Sequence, residues 1–241
     1  MTQQILRATL DVPFECAFRD PDSMNALPTY SVPPVTTLQG MLYAALARPS
    51  LLFQSGRSRY IPKDLRDDEE EFRREVQDKC QFGIRVIEQG KEYNGLKTRQ
   101  KMEDKRGQND ARYKSYVTNE ETLIEPTFRI YITENGGEEY LDIFKQALED
   151  PSRMLYLGRS DDIVDVCDVH LIEAEKVNKT KSLDCVVPSA EGEHLEMLPV
   201  EPDHRSGRST KPPRVKAVSI DGAEVGSYYR TSDGEEFVFI T

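Results

Sequence analysis

The stretch TFRIYITENGGEEYLDIFKQALED, residues 127–150, changes its period in the middle. Up to Thr133 β-formers alternate with period two, ENGG is a turn, and beyond it Tyr140, Ile143, Phe144 and Ala147 recur at helical spacing until Pro151 stops them. This predicts a strand feeding a helix. Upstream, FGIRVIE (82–88) alternates in the same way, and downstream MLYLG and IVDVCDVHLIEAE (154–174) supply one or two further strands. Near the N-terminus, residues 3–12 (QQILRATLDV) place Leu6, Ala8, Leu10 and Val12 on one face. TTLQGMLYAALA (36–47) then reads as a helix, with Leu38, Leu42 and Ala45 in a stripe, Thr36 as N-cap and Gln39 completing a capping box.

The order is strand, helix, strand, strand, helix, strand. It predicts an α+β, ferredoxin-like split βαβ plan of the RRM type, whose antiparallel sheet has one open face. A further helix is predicted over 63–79 (KDLRDDEEEFRREVQDK), with only Leu65, Phe72 and Val76 as an apolar stripe, and reads as a solvated peripheral element. The expected division is a ferredoxin-like domain over 1–174, carrying an insertion of about 89–126 in its central hairpin, and a C-terminal part over 175–241. That part begins as a polar, Pro-rich linker and ends in short strands, KAVSI, GSYYRT and EEFVFIT, expected to form a small appended sheet.

Among 241 residues, 32 Lys and Arg stand against 43 Asp and Glu, a formal charge of −11, with 37% hydrophobic and 31% charged residues. The chain is too apolar to be disordered and too polar to be a membrane protein. No window approaches the roughly 18 apolar residues a membrane span requires, and the N-terminus lacks a basic n-region and an apolar h-region, so a cytoplasmic protein is expected. Cys16, Cys80, Cys167 and Cys185 are widely spaced without CxxC, which predicts reduced thiols and no metal site. The acidic balance argues against nucleic-acid binding by bulk charge.

One long segment departs from that balance. Residues 91–116 (KEYNGLKTRQKMEDKRGQNDARYKSY) hold eight Lys and Arg against four Asp and Glu, a net +4, with Tyr93, Tyr113 and Tyr116 interleaved. Cations for phosphates beside rings for base stacking suit a single-strand grip, although a solvated loop has the same composition. The approach TYSVPPVTTLQG leads into the first helix, whose free N–H groups and positive dipole end can hold a phosphate; a helix start without a ligand is the commoner case. In YLGRSDD (156–162) Arg159 either holds an anion or bridges to Asp161 or Asp162 in a tight turn. Enzyme signals are poor: His170, His194 and His204 all lie outside these segments, and no phosphate-loop, zincin or nucleophile-elbow motif occurs.

Taken together, AFRDP (17–21), TYSVPPVTTLQGMLYAALA (29–47) and LYLGRSDDIV (155–164) resemble the Cas-five family of CRISPR-associated RAMP proteins, subunits of type I Cascade surveillance complexes. The resemblance covers the first fifth of the chain and one later segment; it implies that 91–116 lies in a thumb folding over guide RNA. It implies a non-catalytic, cofactor-free subunit that caps the 5′ handle of the CRISPR RNA (crRNA) and adjoins the large subunit and a backbone subunit in antiviral defence, without membrane contact. Arg19, Tyr30, Thr36, Thr37 and Gln39 would line the handle site, Arg159 would support it, and Lys97, Arg99, Lys101, Arg106, Arg112 and Lys114 would sit against the RNA backbone. The sequence is similar to the type I-B branch, with type I-D second. One branch processes precursor RNA with Tyr, Lys and His side chains, so an endoribonuclease is the alternative within the family, and a protein-interaction module without RNA contact the alternative outside it.

Overall fold

The computed structural model describes residues 2–18, 26–48, 63–103, 112–159, 161–189, 191, 193–201 and 214–241. Strand β1 (Thr2–Asp11) lies at the centre of a six-stranded sheet, hydrogen-bonded on one side to β7 (Thr127–Glu134) and on the other to β8 (Asp165–Val177). Strand β4 (Cys80–Glu88) pairs with the far side of β7, and β14 (Tyr228–Thr231) with β15 (Glu236–Phe237) extends the edge beyond β8, giving the order β15-β14-β8-β1-β7-β4. All these pairs are antiparallel.

Among the described residues three helices connect the strands: α1 (Val35–Ala45) and α2 (Lys63–Lys79) between β1 and β4, and α3 (Glu139–Glu149) between β7 and β8. The alternation of β1 fixes which face they cover. Leu6, Ala8, Leu10 and Val12 are fully buried with Leu38 and Leu42 of α1 and Leu141 and Phe144 of α3 in one core. Ile5 and Tyr131 face the other way, into a second cluster with Tyr228, Phe237 and Val238. The mixed, sheet-rich α/β architecture expected from the sequence is present.

The second cluster corrects the expectation of an open sheet face. The C-terminal segment lies across part of it: the Phe237 ring stacks on Tyr131 at 3.8 Å and 2°. Arg7 meets Asp233 at 2.5 Å and Glu235 at 2.9 Å, Arg129 also pairs with Glu235, and the Tyr131 hydroxyl donates to Glu235 at 3.1 Å. The short C-terminal strands therefore do not form one appended sheet. β14 and β15 complete the main sheet, β12 (Arg214–Ser219) lies between β10 (Val187–Pro188) and β11 (Leu195–Glu201), and β13 (Ala223–Val225) pairs with β9 (Lys181–Leu183).

Helix α2 is not solvated all round. Glu69 is buried between Arg48 and Arg73 at 2.9 and 2.8 Å, the Arg48 guanidinium lies 3.4 Å from the Phe72 ring centre, and Arg73 lies over Tyr43 of α1. These pairs supply the contacts that an apolar stripe of few residues lacks.

Helix α1 begins one residue before its expected start. Pro34 occupies the N-cap position at φ −54° and ψ 148°, with no side-chain cap bond, so Thr36 does not cap and the box with Gln39 does not form. The reason is packing: Val35 is fully buried, and the Pro34 carbonyl accepts from Thr37 and Leu38 N–H at 2.9 and 3.1 Å. Thr36→Ala is accordingly expected to change unfolding free energy by less than about 0.5 kcal/mol, against the roughly 1 kcal/mol of a lost cap. Urea unfolding of the two proteins measures the difference.

Between β4 and β7 the basic segment folds as a two-stranded ribbon, β5 (Lys91–Glu103) and β6 (Arg112–Ile124), in register from Lys91↔Ile124 to Glu103↔Arg112. Gly90 makes the turn into it at φ +73°, where a Cβ would lie 2.6 Å from the Ile124 carbonyl oxygen. The root of β6 also pairs with β2 (Glu15–Cys16) and β3 (Ala26–Leu27).

Candidate nucleic-acid interface

Arg159 is the hub of this region. Gly158, at φ +110°, passes so close to Ala17 that a Cβ would lie 2.7 Å from its carbonyl oxygen, and the turn it makes brings Arg159 over Asp162. The guanidinium binds Asp162 at 2.6 and 2.8 Å, Glu120 of β6 at 2.7 Å and Glu15 of β2 at 3.4 Å. Asp162 and Glu120 are fully buried, and Asp162 also accepts the Ala17 and Arg159 backbone N–H groups at 3.0 Å. Burial by itself lowers the Arg159 pKa, but the hydrogen bond and charge of Asp162, with Glu120 behind them, leave it raised. Of the two sequence readings of YLGRSDD, the bridging turn is therefore present. Arg159 clamps the turn to the ribbon root, so any role it has towards an anion is one of support.

The loop before α1 is tied to the same place. Phe18 N–H donates to Thr29 Oγ1 at 2.8 Å, Tyr30 N–H to the Phe18 carbonyl at 2.9 Å, and Thr29 N–H to Glu121 of β6 at 3.4 Å. Tyr30, Arg159 and the ribbon root thus belong to one hydrogen-bonded neighbourhood. Thr36 and Thr37 are partly exposed in the first helical turn, where no acidic residue opposes an anion. Gln39 is not at the surface: it is buried, and its Oε1 has no partner among the described residues.

Along the ribbon, Lys97↔Thr118, Arg99↔Tyr116, Lys101↔Lys114 and Glu103↔Arg112 pair in alternate register. The period-two pleat puts these positions on one face. Arg19 and Arg106 lie outside the described residues.

The sequence reading missed three of the acids that organise the site: Glu15, Glu120 and, most of all, Glu196. Strand β11 brings Glu196 to the loop before α1, where it accepts from Ser31 N–H at 3.0 and 3.1 Å and from Ser31 Oγ at 2.6 Å. Burial raises the Glu196 pKa above its ordinary value of 4.5 in spite of these bonds. A raised carboxyl pKa means that the folded state holds the proton more tightly, so this group's contribution falls as pH rises from 4.5 through the folded value. Glu196→Gln, which can still accept from Ser31, is expected to stabilise the protein at neutral pH and leave mildly acidic stability nearly unchanged. Thermal melts at the two pH values check this.

Glu196 also brings a histidine closer than sequence distance suggested. His194 precedes β11 and interacts electrostatically with Glu196; it pairs with Asp221 at 2.5 Å, which raises its pKa above 6.5. Asp221 lines a surface depression with Glu191, Glu193 and Glu224, negative ground for a phosphodiester. His170 sits on β8 in register with Arg7, and His204 lies outside the described residues. All four cysteines are free thiols, and no group of metal-ligating side chains occurs among the described residues. No helix among them is long and apolar enough to cross a membrane.

No curated protein sequence matches the chain. Among solved structures, a chain described as "CRISPR RNA-guided surveillance complex" has the same fold, with a TM-score of 0.54 at 16% identity over 94% of this chain and 91% of that one. A CRISPR protein from Archaeoglobus fulgidus aligns over 99% of this chain and 100% of its own at 12% identity, with a TM-score of 0.49. The sequence profile of the family described as CRISPR-associated protein (Cas_Cas5) matches residues 5–223, from the first strand through every element of the candidate interface, and the chain belongs to that family.

Proposed function

We propose that the protein is a non-catalytic subunit of a type I CRISPR surveillance complex that binds and caps the 5′ handle of crRNA. The observation that carries this is the ribbon. Five basic positions, Lys97, Arg99, Lys101, Arg112 and Lys114, share one face of a hairpin whose root is bonded to the Gly158–Asp162 turn and, through Glu121, to the loop before α1. Polyanion contact on that face and a helix N-terminus without acids offer two phosphate-binding elements on one body.

The order β8-β1-β7-β4 with helical crossovers favours the ferredoxin-like reading, and the ribbon's place between β4 and β7 favours its reading as a thumb. On this reading residues 1–174 form the RAMP domain, with the thumb at about 89–126, and 175–241 form an extension. Arg19, Tyr30, Thr36 and Thr37 line the handle site, with Gln39 buried behind them, Arg159 supports it, and the ribbon cations with Arg106 follow the backbone. The partners are crRNA and the large and backbone subunits, in the cytoplasm, with type I-B first and type I-D second. With the sheet face occupied by Phe237, base stacking in the RRM manner is left to ribbon tyrosines.

The test is purification after co-expression with repeat RNA and the other subunits, with sequencing of the bound RNA. A uniform 5′ end is expected, and none in the protein's absence. Pure protein incubated with labelled precursor is expected to leave it intact, since general acid–base cleavage needs a correctly placed pair near neutral pKa. Cleavage at the handle boundary, abolished by His194→Ala or Tyr30→Phe, would move the protein to the endoribonuclease branch. RNA of random ends, or none, would favour a protein-interaction module.

A further inference from the structure

One ribbon tyrosine is seated where a side chain is missing. In β5, Tyr93 and Gly95 are two residues apart and so lie on one face of the pleat, the face that continues outward through the Lys97, Arg99 and Lys101 positions. The Tyr93 ring lies across Gly95: a Cβ on Gly95 would stand 2.4 Å from Cε1 and 3.1 Å from both Cζ and the hydroxyl oxygen. Gly95 is buried although Asn94 and Leu96 on either side of it are exposed. A glycine inside a strand weakens the strand, and here the close approach of the ring accounts for it. Tyr93 is itself 51% exposed, so the ring rests on backbone while about half of the residue stays open to solvent. Directly across the ladder from Gly95 stands Glu120, which takes the Arg159 guanidinium. The seated ring therefore lies at the ribbon root, between the Arg159 hub and the first of the ribbon cations.

We propose that Tyr93, seated on Gly95, is a stacking platform for one unpaired RNA base at the ribbon root. The proposal rests on the reading of the ribbon as an RNA-binding element and names the ring that serves it. A ring already fixed against backbone has little freedom left to lose on stacking, and every nucleobase offers it a π face. Lys97 follows Gly95 by two residues, about 7 Å along the strand, so an RNA strand whose base stacks on Tyr93 passes the Lys97 position with a neighbouring phosphate. A ring that only shields the glycine backbone has the same geometry, but its removal would not alter RNA binding.

The experiment titrates the full-length protein with an oligoadenylate of about ten nucleotides, and with an abasic oligomer of equal length that keeps the phosphates and lacks the bases. Tyr93→Leu is expected to weaken oligoadenylate binding by about tenfold, with the slope of log affinity against log salt unchanged and binding of the abasic oligomer unaffected. Gly95→Ala puts a methyl group where Cε1 lies and alters no charge; it should displace the ring and weaken binding similarly in the parent, yet add nothing in the Tyr93→Leu background. Tyr93→Phe, which keeps the ring, should recover most of what Tyr93→Leu loses. Circular dichroism at the binding temperature establishes that each variant is folded. If Tyr93→Leu binds oligoadenylate like the parent, with a steep salt slope in both, the proposal is overturned and the RNA reading stands. An equal loss towards the abasic oligomer also overturns it, since the residue then acts through the phosphates. A parent that binds neither oligomer removes the RNA reading itself, and the platform with it.

Discussion

Asp162→Ala is expected to lower the unfolding free energy by about 3–5 kcal/mol, the cost of removing one partner from a buried ion pair. The carboxylate is fully buried and holds the Ala17 and Arg159 N–H groups and the Arg159 guanidinium at 2.6–3.0 Å. Its loss leaves the buried Ala17 and half-buried Arg159 amide donors without this acceptor and frees Arg159 to reorient towards Glu120 and Glu15 alone. Asp161 is the internal control: it is 78% exposed and 3.9 Å from Arg159, so Asp161→Ala should stay within about 0.5 kcal/mol. Urea titration of the three proteins at neutral pH gives the comparison. A loss below about 1 kcal/mol for Asp162→Ala would mean that the Gly158 turn holds without its hub.

The functional consequence follows from where the hub sits. Arg159 joins the turn to Glu120 in β6, while Glu121 joins β6 to Thr29 in the loop before α1. Loosening Asp162 should therefore release the angle between ribbon and helix start before either element unfolds. Asp162→Asn keeps one acceptor oxygen for the two amides that share Oδ2 and removes the charge, and is expected to fall between Asp162→Ala and the parent in stability.

Local periodicity made some of this legible from residues alone. β1 and β7 repeat with period two and α3 with the helical period because each turns one face into the main core, and their order predicts the connectivity. From the sequence the segment between FGIRVIE and TFRIYIT reads as a polar insertion, not as strands. Its alternation is one of charge (Lys97, Arg99, Lys101 against Thr98, Gln100), so an apolar period-two test passes over it. That charge period was the available signal. At α1, Thr36 has the better capping side chain, yet burial of Val35 sets the start at Pro34, a tertiary choice the local pattern does not contain.

Long-range partners were invisible for a different reason. Nothing in the run around Glu120 or Glu196 distinguishes a buried acid from a solvated one until Arg159 and Ser31 arrive from 39 and 165 residues away. The closed sheet face has the same origin. β14 pairs with β8, and Phe237 reaches Tyr131, only because the C-terminal segment returns along the sheet edge.

Reversing four cations of one ribbon face, by Lys97→Glu, Arg99→Glu, Lys101→Glu and Lys114→Glu, is expected to weaken handle RNA binding by about a hundredfold or more at moderate salt. The salt dependence identifies the cause. For a single strand, each phosphate no longer neutralised by a cation should flatten the slope of log affinity against log salt by about 0.7, so removing four such pairings takes away nearly 3 units. Charge alone, without facing, would predict that negative residues anywhere on the ribbon act alike. Thr98→Glu with Gln100→Glu, at the intervening positions of β5, tests that directly and is expected to leave the slope nearly unchanged. Tyr116 pairs with Arg99 on the cationic face, and Tyr116→Ala should cost about 1–3 kcal/mol of affinity at every salt concentration, since stacking releases no counterions. Equal flattening by both glutamate sets would reduce the ribbon to a patch of diffuse charge. A steep slope surviving the reversal would place the phosphate-binding groups at the helix start instead.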